Sequence, residues 1–220
     1  MQTPDVRIAD HIDTLLLDLD GTLLDLAFDS RFWLGVVPDA WGAARGLTRE
    51  QALAQFMPKL AAVEGTLPWY CLDHWSTVLN LDLSALKQQH ADRVAWLPGA
   101  PEFLQRQRAA GRRLVLATNS HPETLRIKMT QVPLADYLDA IHSSHPFGAP
   151  KEDPSFWPAF LAAEPIDLSR TAFLDDNPRV LAAGRAAGVS QLIAITHPDS
   201  SQPPKPAPAG FESVLSVAAL

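Results

Sequence analysis

The sequence predicts an α/β fold: a parallel sheet with helices on both faces, interrupted near its start by a helical insert. Three observations carry that expectation. Short apolar runs are continuous rather than alternating, the pattern of strands buried on both faces. Helix-like segments bounded by Pro and Gly lie between them. One interval is far too long for a simple crossover.

The runs at residues 14–18, 114–119 and 171–176 are the strong strand candidates, each ending in polar residues. Residues 140–143 and 191–195 are weaker candidates of the same kind. Residues 101–110 carry apolar positions at helical spacing, and Gly111 follows as a stop. Residues 178–187 repeat the arrangement, with Pro178 in the first turn and Gly188 just past the end. Residues 122–130 and 154–163 read as further helices. A strand–helix–strand unit takes about 30 residues, yet roughly three times that separates the first strand from the second. The excess, residues 28–96, is rich in Trp and Leu with helical periodicity, and Thr48 ahead of Gln51 offers a capping box. It reads as a helical insert with its own small core. Residues 197–210 hold five prolines and read as a loop or semi-rigid strap. Residues 211–220 are expected to form a short docking helix.

A chain of 220 residues suits one domain with a full core, or one domain carrying a smaller insert, and 47% hydrophobic with 20% charged residues is ordinary for a globular protein. The net charge of −7 repels a phosphodiester backbone, so no nucleic-acid partner is expected. Asp5, Arg7, Asp10 and Asp13 precede the first apolar run, which is unlike a signal peptide. No apolar stretch reaches the ~20 residues of a membrane span. The single cysteine, Cys71, suits a reducing compartment, so a cytoplasmic location is expected. Cys71 and His74 have the spacing of half a zinc site, but no second pair follows; Cys71 reads as a buried helical cysteine.

In parallel α/β sheets ligands bind at the carboxyl ends of strands. Here those ends carry Asp18, then Thr118 and Asn119, then Asp175 and Asp176. Asp20 lies two residues past Asp18, and Lys151 sits in a Gly148-Ala149-Pro150-Lys151 loop. A helix cap would explain one such aspartate, but not three strand ends and a lysine. Carboxylates converging in one cleft repel each other by several kcal/mol at an effective dielectric of about 20. Lys151 and an oxygen-liganded cation such as Mg²⁺ would neutralise them, and Thr118 offers a hydroxyl to phosphate oxygens.

At this point Asp18-Leu19-Asp20-Gly21-Thr22-Leu23 resembles the DxDGT motif that opens the haloacid dehalogenase superfamily. Thr118 resembles the second motif, Lys151 the third, and Asp175-Asp176 the fourth, in the same order and across nearly all of the chain. The resemblance implies a doubly wound sheet of strand order 5-4-1-2-3 with a C1-type cap. The core is then residues 1–27 plus 97–220, and the cap residues 28–96. It also implies a Mg²⁺-dependent phosphohydrolase. Asp18 attacks phosphorus to form an aspartyl phosphate, while Asp20 serves as acid and then base. Mg²⁺ is held by the side chains of Asp18 and Asp175 and the backbone carbonyl of Asp20. Thr118, the Asn119 backbone and Lys151 stabilise the transferring group. Asp176 is placed behind these, orienting Lys151 or a metal-bound water. Dehalogenases of the superfamily lack an acid at the position of Asp20, which favours a phosphatase.

Residues 20–29 with Phe32 and Trp33, residues 69–73, and residues 147–153 are similar to bacterial GMP/IMP nucleotidases. That likeness implies a small-molecule partner, a purine nucleoside 5′-monophosphate. Trp33, Trp41, Trp69, Tyr70 and Trp75 are either stacking faces for the base or fillers of the insert's core. Asp29 and Asp73 are candidate acceptors for the base N1–H. His121, His142 and His145 are expected as hydrogen-bonding loop residues. The alternatives are a sugar-phosphate phosphatase or phosphomutase on the same core, or a non-catalytic phosphate-binding module, which would have no use for Asp20. The oligomeric state stays open.

Overall fold

The computed structural model describes residues 6–220, so Asp5 lies outside the described residues. Six strands form one parallel sheet: β1 (Thr14–Leu17), β2 (Arg113–Thr118), β3 (Ala140–Ser143), β4 (Thr171–Asp175), β5 (Gln191–Ile195) and β6 (Glu212–Val214). Their spatial order is β3-β2-β1-β4-β5-β6. Read from the other edge this is the expected 5-4-1-2-3, extended by one strand. The sixth strand corrects the expectation of a helix over 211–220. Parallel pairing of Ile193 with Glu212 through Ile195 with Val214 gives the open edge of β5 its backbone partners. Only a single 3₁₀ turn, Val217–Ala219, follows it, with Val217 fully buried.

The continuous apolar runs have a direct cause. Successive side chains of a strand point to opposite faces, and both faces of this sheet are covered. Leu15 and Leu17 pack with Leu114, Leu116 and Phe103 on one face; Leu16 packs with Val115, Phe173 and Phe160 on the other. The first face carries α7 (Ala100–Ala109) and α8 (Pro122–Met129), and the second α9 (Phe156–Ala163) and α10 (Pro178–Ala187). α10 sits close because Gly184 lacks a side chain: a Cβ there would lie 2.9 Å from Phe173 Cδ1 and 3.4 Å from Trp157. Gly184→Val is therefore expected to lower stability by about 2 kcal/mol through overpacking, read as a lower thermal midpoint. An unchanged midpoint would mean that α10 can move off the sheet freely.

The interval between β1 and β2 is helical: α1 (Ala27–Arg31), a π turn (Phe32–Val36), α2 (Val37–Ala43), α3 (Arg49–Val63), α4 (Leu67–Tyr70), α5 (Leu72–Leu79) and α6 (Leu83–Gln88). It has its own apolar cluster, built around Phe32, Trp41, Phe56, Leu60, Trp75 and Leu79. The capping box is present: the Thr48 hydroxyl accepts from Gln51 N and the Gln51 side chain accepts from Thr48 N. Cys71 differs from its expectation. It is half-buried at the start of α5, where its sulfur accepts from the His74 amide at 3.4 Å. Residues 197–210 run without helix or strand, as the prolines require. Among the described residues no helix is long and apolar enough to cross a membrane.

Candidate active site

β1 lies between β2 and β4, with Leu17 paired to Leu116 on one side and Leu174 on the other. That register brings the ends of the three strands together. Asp18, Asp20, Thr118, Asn119, Lys151, Asp175 and Asp176 all line one cleft between the sheet and the helical insert. The cleft encloses a cavity of about 220 Å³ and opens to solvent.

Lys151 is at the centre. Its ammonium donates to Asp18 Oδ1 at 2.5 Å and to Asp175 Oδ2 at 2.7 Å. Its backbone is held as well: Lys151 N donates to Asn119 Oδ1 at 2.9 Å, and Trp157 Nε1 donates to the Lys151 carbonyl at 3.1 Å. Asn119 Nδ2 and the Tyr70 hydroxyl both donate to Glu152, tying the insert to this loop. Thr118 Oγ1 accepts from Ser120 N at 3.0 Å, which leaves its own proton available to a ligand.

Asp18, Asp175 and Asp176 each offer a carboxylate oxygen, all within 4.8 Å of one another. Burial pushes Asp18 up to about 7 against the pull of Lys151, with Asp175 and Asp20 adding repulsion. Burial likewise raises Asp175 and Asp176, each to about 6. One buried ammonium does not balance three carboxylates, and an all-oxygen donor set of this size fits Mg²⁺. Asp176 stands beside Asp18 and Asp175 in this cluster. Its partner is Lys205 of the proline-rich strap, at 3.0 Å, rather than Lys151. Gly21 makes the crowding possible. Its φ is +88°, and a Cβ there would lie 2.7 Å from Pro198 and 3.0 Å from Asp176 Cγ.

Asp20 has two partners that the sequence did not suggest. The Ser120 hydroxyl donates to Oδ2 at 3.0 Å, and the Lys128 ammonium donates to Oδ1. Lys128 also donates to Asp29 Oδ2 at 2.6 Å, and Lys87 donates to Asp29 Oδ1 at 2.6 Å. Both lysines are 1% exposed. Burial opposes both charges on Asp29 and Lys128, but the opposite charges win: Asp29 is held well below the usual carboxylate range and Lys128 is raised. Lysine is usually a surface residue. The signal for Lys128 was its position, four residues after Thr124 and three after Leu125 on the inward stripe of α8.

With both oxygens engaged by ammonium groups, Asp29 is not a free acceptor for a base. Asp73 is mostly exposed and does not line the cleft. The aromatic set divides: Trp33, Trp69 and Tyr70 line the cleft, whereas Trp41 and Trp75 are buried in the insert's core. Trp33 sits in the π turn, an arrangement frequent at functional sites. Of the histidines, His121 lines the cleft, His145 packs against His121, and His142 is bound to Glu164 at 2.8 Å.

Comparison with known proteins agrees with this geometry. Residues 12–188 match the haloacid dehalogenase-like hydrolases. The chain is 41% identical over 189 residues to the GMP/IMP nucleotidase YrfG of Escherichia coli strain K12, covering 86% of this chain and 85% of that protein. It is 26% identical over 187 residues to a phosphoglycolate phosphatase of Caulobacter vibrioides, covering 82% and 78%. The solved structure of a HAD phosphatase from Thermococcus onnurineus shares the fold, with a TM-score of 0.77 over 94% of each chain at 16% identity. Motifs, strand order and relatives agree: the chain belongs to the haloacid dehalogenase-like hydrolase family.

Proposed function

We propose that this hydrolase is a Mg²⁺-dependent phosphatase that cleaves purine nucleoside 5′-monophosphates through a phosphorylated Asp18. The observation that carries the proposal is the convergence of Asp18, Asp175, Asp176 and Lys151 at the strand ends, with Asp20 and Thr118 lining the same cleft. The nucleotide preference rests on the 41% identity to a GMP/IMP nucleotidase and on the Trp33, Trp69 and Tyr70 wall. Stacking on such faces contributes ~1–3 kcal/mol per base. Residues 28–96 act as the cap that selects the leaving group, and residues 1–27 plus 97–220 as the core that performs the transfer. A cytoplasmic location fits the single, unpaired cysteine.

Lys151 holds the Asp18 carboxylate in one orientation, and Asp18 attacks phosphorus in line with the ester oxygen. A bond forms between phosphorus and the carboxylate as the bond to the 5′-oxygen breaks. Asp20, positioned by Lys128 and Ser120, gives a proton to that oxygen and then takes one from the water that releases phosphate. Thr118, the Asn119 backbone and Lys151 meet the charge spread over the transferring oxygens. Mg²⁺, held by the Asp18 and Asp175 side chains and the Asp20 carbonyl, with Asp176 beside it, would supply charge neutralisation and polarise the phosphoryl oxygens.

The test is phosphate release with Mg²⁺ across GMP, IMP, AMP, CMP, UMP and several sugar phosphates. Preference for GMP and IMP, lost on chelation, is the expected outcome. Preference for sugar phosphates would keep the transfer chemistry and discard the nucleotide, and no release from any ester would favour a phosphate-binding module.

A further inference from the structure

We infer that Cys71, His121 and His145 form a second metal site, suited to Zn²⁺, at the seam between the helical insert and the sheet. The sequence offered Cys71 only His74 as a companion. The fold supplies different ones: Cys71 comes from the junction of α4 and α5, His121 from the residue before α8, and His145 from the turn after β3. Each offers one ligand atom, and these atoms lie within 4.8 Å of one another. Tetrahedral bonds of about 2.0–2.3 Å set ligand atoms roughly 3.5 Å apart, so small side-chain rotations close the set around one ion.

Two hydrogen bonds fix which nitrogen His145 offers. The Ser143 hydroxyl donates to the Ser120 carbonyl at 2.8 Å, which commits its proton. Ser143 Oγ then accepts from His145 Nδ1 at 3.3 Å, so Nδ1 carries the ring proton and the lone pair lies on Nε2. That Nε2 is buried and has no hydrogen-bond partner among the described residues. A buried acceptor left without a partner calls for an explanation, and a metal ion supplies one. Burial, reinforced by His121, also pushes His145 down to about 4, which keeps the ring neutral.

His121 completes the set. Its ring meets that of His145 edge to face, with centroids 4.9 Å apart. Its Nδ1 accepts only a long 3.3 Å bond from the Glu123 amide, a contact weak enough for an ion to replace. Asp73 Oδ2 lies 3.5 Å from His121 Nε2, and a carboxylate in that position orients a metal-bound imidazole. One thiolate and two imidazoles select Zn²⁺ over Mg²⁺, so this site is chemically separate from the carboxylate cluster. An ion here would pin the insert to the sheet at the rim of the cleft, which His121 also lines.

Calorimetric titration of Zn²⁺ into the full chain, with excess Mg²⁺ present, tests the site in the wild type, Cys71→Ser and His145→Gln. Co²⁺ is the second probe, because thiolate-to-metal charge transfer reports sulfur ligation. The expected result is one Zn²⁺ per chain, bound at least ~100-fold more weakly by either variant, since even an outer partner of a ligand is worth 10–100-fold. The Co²⁺ charge-transfer band should vanish in Cys71→Ser, and Zn²⁺ should raise the thermal midpoint of the wild type more than that of either variant. Circular dichroism checks each variant for folding. If Cys71→Ser misfolds, His145→Gln, which keeps the thiol, decides by affinity alone. Failure of the wild type to bind Zn²⁺, unchanged affinity in a folded variant, or Co²⁺ bound without a sulfur band would overturn the inference.

Discussion

Asp18→Asn is expected to lower phosphate release by about 10⁴-fold, the scale on which enzymes lose turnover when the attacking group is removed. The side chain keeps its shape, but a carboxamide does not attack phosphorus. Folding should survive. The substitution takes one negative charge from a buried cluster of three, and Lys151 keeps its 2.7 Å contact with Asp175. Initial rates with GMP, alongside a thermal midpoint no lower than that of the wild type, would be the signature of a lost nucleophile. A variant within tenfold of the wild-type rate would remove Asp18 from that role.

Lys128→Met should produce a different pattern, damaging stability and turnover together. The lysine is buried between Asp20 and Asp29, and among the described residues Asp29 keeps Lys87 as a partner while Asp20 keeps Ser120. Removing one member of a buried charge group costs about 3–5 kcal/mol. With Lys87 still in place the lower figure applies, which for a chain of this size lowers the thermal midpoint by about 10 °C. Turnover should fall roughly 100-fold, the usual worth of a positioned acid or base, with little change in KM, because Lys128 holds Asp20 rather than substrate. Adding Asp29→Asn to the variant should lower stability further without recovering turnover, because the buried Lys87 then loses its carboxylate partner while Asp20 is no better held. A normal midpoint in Lys128→Met would show that the ammonium is not confined between the two carboxylates.

The strand ends were legible because their chemistry is written in short, local patterns. A run such as Leu15-Leu16-Leu17-Asp18 states both its burial and its polar terminus, and β1 lies at the centre of the sheet with Asp18 in the cleft. Strand order followed from family resemblance rather than from periodicity. The final strand was not legible: Glu212–Val214 is three residues long, and only the free edge of β5 makes it a strand. Lys87 and Lys128 were missed for a related reason. Each is an ordinary lysine until the fold sets it against Asp29, 58 and 99 residues away in sequence. The same limit hid the Cys71, His121 and His145 group, whose members come from three separate elements, and it made Asp29 look like a free acceptor.

In the proposed reaction a phosphoryl group passes through Asp18. The most direct measurement is an acid quench of the wild type turning over GMP labelled in its phosphate, followed by peptide mapping. Label on the peptide containing Asp18, discharged by further incubation before the quench and missing from Asp18→Asn, is the predicted result. Turnover with no label on any peptide would mean that water attacks the ester directly, and label on another residue would place the nucleophile elsewhere.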